Sequence, residues 1–196
     1  MHTTTNGYPT RGEQMLLFLR NYVKHPRMLG AMIPSSRFVV DEVLGQVDWD
    51  RAKVIVEYGP GVGTFTTEIL KRMRSDASLI VFELNKDFAR FLRHRLPDPR
   101  FHVVQGSAAQ VDAVLAQMGH LAADYVISGI PFSTMPANER DSIIRKTHKL
   151  LNSEGAFLVY QVSGAVGPHL QRVFSNVARD YEPLNLLPAK LFYCAP

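Results

Sequence analysis

A chain of 196 residues, 46% hydrophobic and 20% charged, has room for one well-buried domain and little beyond it. The single cysteine, Cys194, excludes a disulfide framework, no His/Cys cluster has metal-ligand spacing, and the longest clean apolar run, Met15 to Leu19, is far too short to span a bilayer. The formal charge is +4, and the whole excess lies within residues 1–40, where Arg11, Arg20, Lys24, Arg27 and Arg37 face one acid, Glu13, so an anionic partner is expected for that arm.

Residues 1–10 read as a loose leader, and residues 1–14 lack the apolar stretch of a signal peptide. From Arg11 to His25 the apolar Met15, Phe18, Leu19 and Tyr22 recur at one-face spacing and predict a helix, which Pro26 stops. Arg20, Lys24 and Arg27 flank that face at i, i+4, i+7 spacing. Two readings stay open: an amphipathic helix lying on an anionic membrane, or a helix docked on its own sheet with solvated basic residues opposite. The arm, residues 1–34, is thus set apart from a domain over residues 35–196.

A second helix is expected from Ser35 or Ser36 to near Gly45. Strands then follow at Val54–Tyr58, Leu79–Leu84, Phe101–Gln105, Tyr125–Ser128 and Ala156–Val162. Helices intervene at Phe65–Arg74, Lys86–Arg95, Ala108–Gln117 and Asn138–Leu151. Apolar strands alternating with amphipathic helices predict a parallel sheet covered on both faces. After a helix around Pro168–Ala178, two extended runs, Pro183–Leu187 and Lys190–Cys194, are too tightly joined for a crossover and predict an antiparallel pair.

The strongest local signal is Val-Ile-Val-Glu-Tyr-Gly-Pro-Gly-Val-Gly-Thr, residues 54–64, a buried strand running into Gly59, Gly61 and Gly63 and then a helix. Such a loop lets backbone approach a ligand, and the helix N-terminus suits a carboxylate or phosphate. A glycine triplet alone also fits a tight turn. Glu57 just before it, and Glu83 at the end of the second strand, sharpen the signal, because an acid there accepts hydrogen bonds from both ribose hydroxyls. The glycines alternate, unlike the Gly-x-Gly-x-x-Gly of dinucleotide folds.

With five βα units and a terminal hairpin, the chain resembles the class I S-adenosylmethionine-dependent methyltransferases from about residue 35 to its end. Glu57, Gly59, Gly61 and Gly63 match their first motif. The resemblance implies a Rossmann-like α/β fold with a seven-stranded, mostly parallel sheet, an antiparallel last strand and helices on both faces. It implies S-adenosylmethionine as cofactor, S-adenosylhomocysteine as product and no metal. Tyr58 and Leu84 join the expected cofactor contacts, with Ser35 and Arg37 near the methionine carboxylate, or Ser35 as a plain helix cap. The adenine contact is placed at Gly106-Ser107-Ala108. Many members carry an acid where this chain has Ser107, so serine or backbone is expected to hold the adenine amine.

The fourth strand ends Ser128-Gly129-Ile130-Pro131-Phe132, where methyl transfer occurs in the family. This loop resembles the Asn-Leu-Pro-Tyr loop of the ribosomal RNA adenine dimethyltransferases, with Gly129 in place of asparagine and Phe132 in place of tyrosine. It looks closer to the Ser-Gly-(Leu/Ile)-Pro loop of bacterial phospholipid N-methyltransferases, and Leu29-Gly30-Ala31-Met32-Ile33-Pro34-Ser35-Ser36 is similar to a segment of theirs. Their size and lack of a C-terminal RNA-binding domain agree. The resemblance implies methylation of phosphatidylethanolamine towards phosphatidylcholine by a cytoplasmic enzyme held peripherally on the inner face of the cell membrane.

Under that reading Ser128–Phe132 contacts the amine through backbone carbonyls and the Phe132 ring, and Tyr22, Arg20, Lys24 and Arg27 meet substrate or membrane. Tyr22, Tyr160 and His169 are the candidate bases. RNA adenine N6-methylation and a non-catalytic cofactor-binding module are the alternatives. Ornithine-containing lipids remain among the possible acceptors.

Overall fold

The computed structural model describes Gly12 and residues 35–196 apart from Leu186. The helix expected over Arg11–His25 therefore lies, Gly12 aside, outside the described residues, as do Tyr22, Arg20, Lys24 and Arg27.

Helix α1, Arg37–Leu44, opens on Ser36, whose side chain accepts the Val39 N–H, and buries Val39, Val40, Val43 and Leu44. Burial of each such side chain contributes about 1.5–3 kcal/mol, which holds this short helix to the sheet. The chain then alternates: β1 Val54–Tyr58, α2 Thr64–Arg72, β2 Ser78–Glu83, α3 Lys86–Arg95 and β3 Phe101–Gln105. A 3-10 turn at Ala108–Gln110 leads into α4, Val111–Gln117. Next come β4 Ala123–Ser128, a 3-10 turn at Phe132–Thr134, α5 Ala137–Leu150 and β5 Leu151–Gln161. The chain ends with a 3-10 turn at Gly164–Val166, α6 Gly167–Gln171, β6 Asn176–Glu182 and β7 Ala189–Ala195.

The seven strands form one sheet in the order β3-β2-β1-β4-β5-β7-β6. Strands β1 to β5 pair in parallel, and β7 runs antiparallel to both β5 and β6. The Rossmann-like architecture expected from the sequence is the one observed. One face packs on α1, α2 and α3, around Val39, Leu44, Ile55, Phe65, Ile69 and Leu92. The other packs on α4, α5 and α6, around Val56, Val126, Ile143, Ile144, Phe157 and Leu170.

Most boundaries shift by one or two residues, and three departures are larger. Strand β5 begins at Leu151 rather than Ala156, because Ala123 pairs with Leu151 across an irregularity that the exposed Asn152-Ser153-Glu154 stretch hides in the sequence. The helix expected to reach Ala178 stops at Gln171, and residues from Asn176 are already strand. Strand β6 lies at the sheet edge and is mostly exposed, so its sequence is polar and shows no apolar alternation. No strand is found at the expected Pro183–Leu187 among the described residues: β6 ends at Glu182 and β7 begins at Ala189, and Pro183 has no N–H to give a ladder.

Chain order reverses direction between β1 and β4: from β1 the sheet grows through β2 to β3 on one side, and from β4 through β5 on the other. In open parallel sheets the loops part at such a switch point and leave a crevice at the strands' carboxyl ends. Glu57 and Gly59 end one of these strands, and Ser128 and Gly129 the other.

Candidate active site

The carboxyl ends of β1 and β4 are stitched together beyond the strands. Gly129 N–H donates to Tyr58 O at 3.0 Å, and Gly59 N–H donates to Phe82 O at 2.9 Å. The glycine loop between β1 and α2 has positive φ at Gly59, Gly61 and Gly63. At Gly61 an added Cβ would meet nothing within 4 Å, so the absent side chain leaves open space over the site. Its N–H donates to Glu83 Oε2 at 3.0 Å, and Asn85 N–H donates to Glu83 Oε1 at 2.8 Å.

Glu83 is buried, and burial pushes its pKa up, opposed by the N–H groups of Asn85, Gly61 and Leu84. The carboxylate keeps acceptor capacity beyond these bonds for a ligand hydroxyl. Glu57, one strand away, is 1% exposed. Thr66 Oγ1 donates to its Oε2 at 2.7 Å, while Oε1 is buried with no partner. Burial first, and the Glu83 charge in addition, push the Glu57 pKa up to about 8 against the hydrogen bond from Thr66.

A cavity of about 240 Å³ opens in this crevice. It gathers Gly59, Gly61, Glu83, Leu84, Gly106, Ser107, Ala108, Gly129, Ile130 and Pro131 from the expected set, drawn from four different loops. Leu84 stands on its lip 63% exposed, an apolar surface left for a ligand to cover.

Other expected residues stand behind or away from the cavity. Tyr58 is fully buried with its hydroxyl 3.0 Å from Thr147 Oγ1, so its side chain serves the core and only its backbone reaches the crevice. Gly63 caps α2, and a Cβ there would lie 2.6 Å from Leu92, so its role is packing against α3. Phe132, expected to meet the acceptor amine, is fully buried and meets Phe157 edge-on at 6.3 Å, because the turn at Phe132–Thr134 folds the ring into the core. Ser128 Oγ is buried without a partner. His169, a candidate base, lies outside the cavity with Nδ1 3.4 Å from Asp141 Oδ1. Arg37 places its guanidinium 5.1 Å from the Phe38 ring centre, and Ser36 rather than Ser35 caps α1.

Tyr160 has a different standing. Its ring stacks on Phe65 at 4.3 Å and 16°. A Cβ on Gly129 would fall 2.5 Å from Tyr160 Cζ and closer still to its hydroxyl. Burial, reinforced by the Glu57 charge, pushes the Tyr160 pKa well above the ordinary phenol range, so the group stays a neutral donor and acceptor. The sequence places Tyr160 and Gly129 thirty-one positions apart, and nothing in either segment signals that they touch.

Residues 24–141 match the family model described as ribosomal RNA adenine dimethylase. The chain belongs to this family of S-adenosylmethionine-dependent methyltransferases. An ornithine lipid N-methyltransferase from Singulisphaera acidiphila is 32% identical over 93% of the chain and 96% of its own length. A ribosomal RNA small subunit methyltransferase A from Mycoplasma mycoides is 24% identical over 72% of the chain but only 46% of its own length. In fold, the chain is similar to a Burkholderia thailandensis 1,6-didemethyltoxoflavin-N1-methyltransferase with bound S-adenosylhomocysteine, at TM-score 0.61, 14% identity, and coverage of 95% and 90% of the two chains.

The methyltransferase site fits its cofactor. Glu83 offers acceptor capacity for a ribose hydroxyl, Gly61 leaves the space a backbone-hugging ligand needs, and Glu57 Oε1 is an unpaired buried acceptor beside the glycine loop. S-adenosylmethionine supplies, when bound, a methyl group activated on a sulfonium. Among the described residues no group of three or more His, Cys, Asp or Glu could hold a metal, and no helix is long and apolar enough to cross a membrane.

Proposed function

We propose that this N-methyltransferase acts on the amine headgroup of a membrane lipid, with phosphatidylethanolamine on the way to phosphatidylcholine as the leading acceptor and ornithine lipid as the next. The carrying observation is the replacement at the end of β4: Gly129 has no side chain to receive an adenine amine, and the Tyr160 phenol occupies the adjoining space. A single phenolic hydroxyl beside a glycine suits a small, flexible amine, whereas a planar base needs an amide that presents both donor and acceptor to its edge. The likeness to the ornithine lipid enzyme over nearly the full length of both chains supports the same reading.

The residues supply position rather than covalent chemistry. In-line displacement requires the amine nitrogen to be held with its lone pair aimed at the methyl carbon. The backbone carbonyls of Ser128–Pro131 and the Tyr160 hydroxyl are the acceptors available to hold its N–H groups. A primary ammonium with an ordinary pKa near 10.4 costs about 4–5 kcal/mol to deprotonate at neutral pH. Enclosure of the amine away from water disfavours the charged form and lowers that cost. Tyr160, held neutral, orients the amine, whose proton passes to solvent water as the headgroup enters the crevice.

Recruitment to the bilayer falls to the N-terminal arm. Arg20, Lys24 and Arg27 each contribute roughly 1 kcal/mol near an anionic leaflet, and the apolar face of Met15, Phe18, Leu19 and Tyr22 adds insertion. The protein then works peripherally on the inner face of the cell membrane.

A second reading, methylation of an RNA adenine, is favoured by the family model. Lipid analysis of a bacterial host expressing the chain separates the two. New mono-, di- or trimethylated amine lipids are expected from the first reading. An unchanged lipid profile alongside newly methylated ribosomal adenine supports the second.

A further inference from the structure

Four polar side chains stand out near the cavity, and their engagements differ. Glu83 is already bonded to Gly61 and Asn85. Glu57 does not line the cavity. Ser107 Oγ donates to Glu139 Oε1 at 3.0 Å and accepts the Ala109 N–H at 3.2 Å, so its one proton is committed. Glu139 reaches Ser107 from the first turn of α5, thirty-two positions along the chain, and lines the same cavity. Among the described residues Ser107 is the one hydrogen-bond partner of Glu139, and no cation pairs with it.

Glu139 is half-buried, and its second carboxylate oxygen is free to accept from a ligand in the cavity. The surrounding wall is Phe82, Leu84, Phe88, Ile130, Met135 and Ile143, and the one other lining hydroxyl, Thr134, donates to Pro131 O at 3.1 Å. A flat apolar ring with one exocyclic amine meets both demands, covering the hydrophobic wall and donating to the acid. Adenine is such a ring, and Gly106-Ser107-Ala108 beside it is the loop at the end of β3.

We propose that Glu139, braced by Ser107, receives the exocyclic amine of the cofactor's adenine, in place of an acid on the β3 loop itself. Serine at 107 is then a strut: its hydroxyl bonds one carboxylate oxygen and leaves the other for the base. The pair selects an amino purine over an oxo purine, because a carbonyl oxygen facing Glu139 would meet an acceptor with no proton between them. The assignment concerns the donor nucleoside alone and is independent of which amine is methylated.

Calorimetry on the full chain with S-adenosylhomocysteine and with its deaminated counterpart, S-inosylhomocysteine, reads this directly. The wild type is expected to prefer the adenosyl compound by at least about 100-fold. Glu139→Gln is expected to reduce that preference below about tenfold, because the carboxamide can turn its NH2 to a carbonyl oxygen. Ser107→Ala is expected to weaken adenosyl binding several-fold while leaving inosyl binding unchanged. A thermal melt of each variant separates this from a helix-terminus effect, since an acid in a first turn serves stability without distinguishing nucleobases. Undiminished preference in folded Glu139→Gln overturns the proposal, and so does equal affinity of the wild type for the two nucleosides.

Discussion

The phenol of Tyr160 on β5 fills the space beside Gly129 at the end of β4, so that any side chain at 129 would collide with the ring. The two residues are one device. Glycine admits the ring, and the ring, stacked on Phe65, brings its hydroxyl beside the glycine.

Substitution at 129 should therefore fail for a steric reason. Gly129→Ala is expected to lower stability by about 1–3 kcal/mol, as overpacked cores do, and to abolish methyl transfer. Adding Tyr160→Leu should recover part of the stability, giving a double variant less destabilised than the sum of the singles. Urea denaturation of the four proteins measures this coupling, and strict additivity would show that the residues do not compete for space.

Tyr160→Phe keeps the stack on Phe65 and removes only the hydroxyl. Stability should change by about 1 kcal/mol or less. Methyl transfer to lipid amine is expected to drop in kcat/KM by about 10- to 100-fold, and cofactor affinity by calorimetry should hold. A loss of cofactor binding equal to the loss of activity would place Tyr160 at the donor instead of the acceptor.

Glu83→Gln leaves one oxygen where the Gly61 and Asn85 N–H groups now have two. One donor loses its acceptor, at a cost of about 1–3 kcal/mol, and the glycine loop loosens. S-adenosylhomocysteine affinity should weaken at least about tenfold, with the deoxyribose analogues of the cofactor losing less than the ribose forms. Equal losses for both would remove the ribose from this carboxylate.

The buried Glu57 makes a prediction about pH. Its folded pKa, about 8, lies above the ordinary 4.5, so the native state holds a proton that the unfolded chain has released between those values. Stability from this group is fully present below pH 4.5 and is lost as pH rises towards 8, by no more than about 1.4 kcal/mol per pH unit. Glu83, also raised, acts in the same direction. Glu57→Gln should flatten the slope between pH 5 and 8 without abolishing it. An unchanged slope in denaturation curves across that range would place the titrating group elsewhere.

Sequence periodicity carried most of the fold, because β1, β2 and β4 are buried runs between amphipathic helices. It failed where burial stops dictating composition: the exposed edge strand β6 and the polar start of β5. Of the residues that line the cavity, Gly59, Gly61 and Glu83 were legible because they sit where the first two strands end. Thr66, Glu139 and the Gly129–Tyr160 contact were not, since each depends on residues brought together only by the sheet. Glu139 looks in sequence like an ordinary acid in a helix's first turn. Phe132 misled for the opposite reason: its loop invites a stacking role, and the backbone turns the ring inwards.

Arg20→Ala, Lys24→Ala and Arg27→Ala together should weaken binding to anionic vesicles by roughly 100-fold at low salt, as about 3 kcal/mol implies. Binding to zwitterionic vesicles should change little. Sedimentation with vesicles at two salt concentrations checks both, and equal losses on the two surfaces would favour a helix docked on the protein.

The most direct measurement is label transfer from methyl-labelled S-adenosylmethionine by the purified chain, offered phosphatidylethanolamine vesicles, ornithine lipid vesicles and ribosomal RNA in parallel. Label on a lipid amine is the predicted result. Label confined to RNA adenine, with both lipids untouched, would contradict the account.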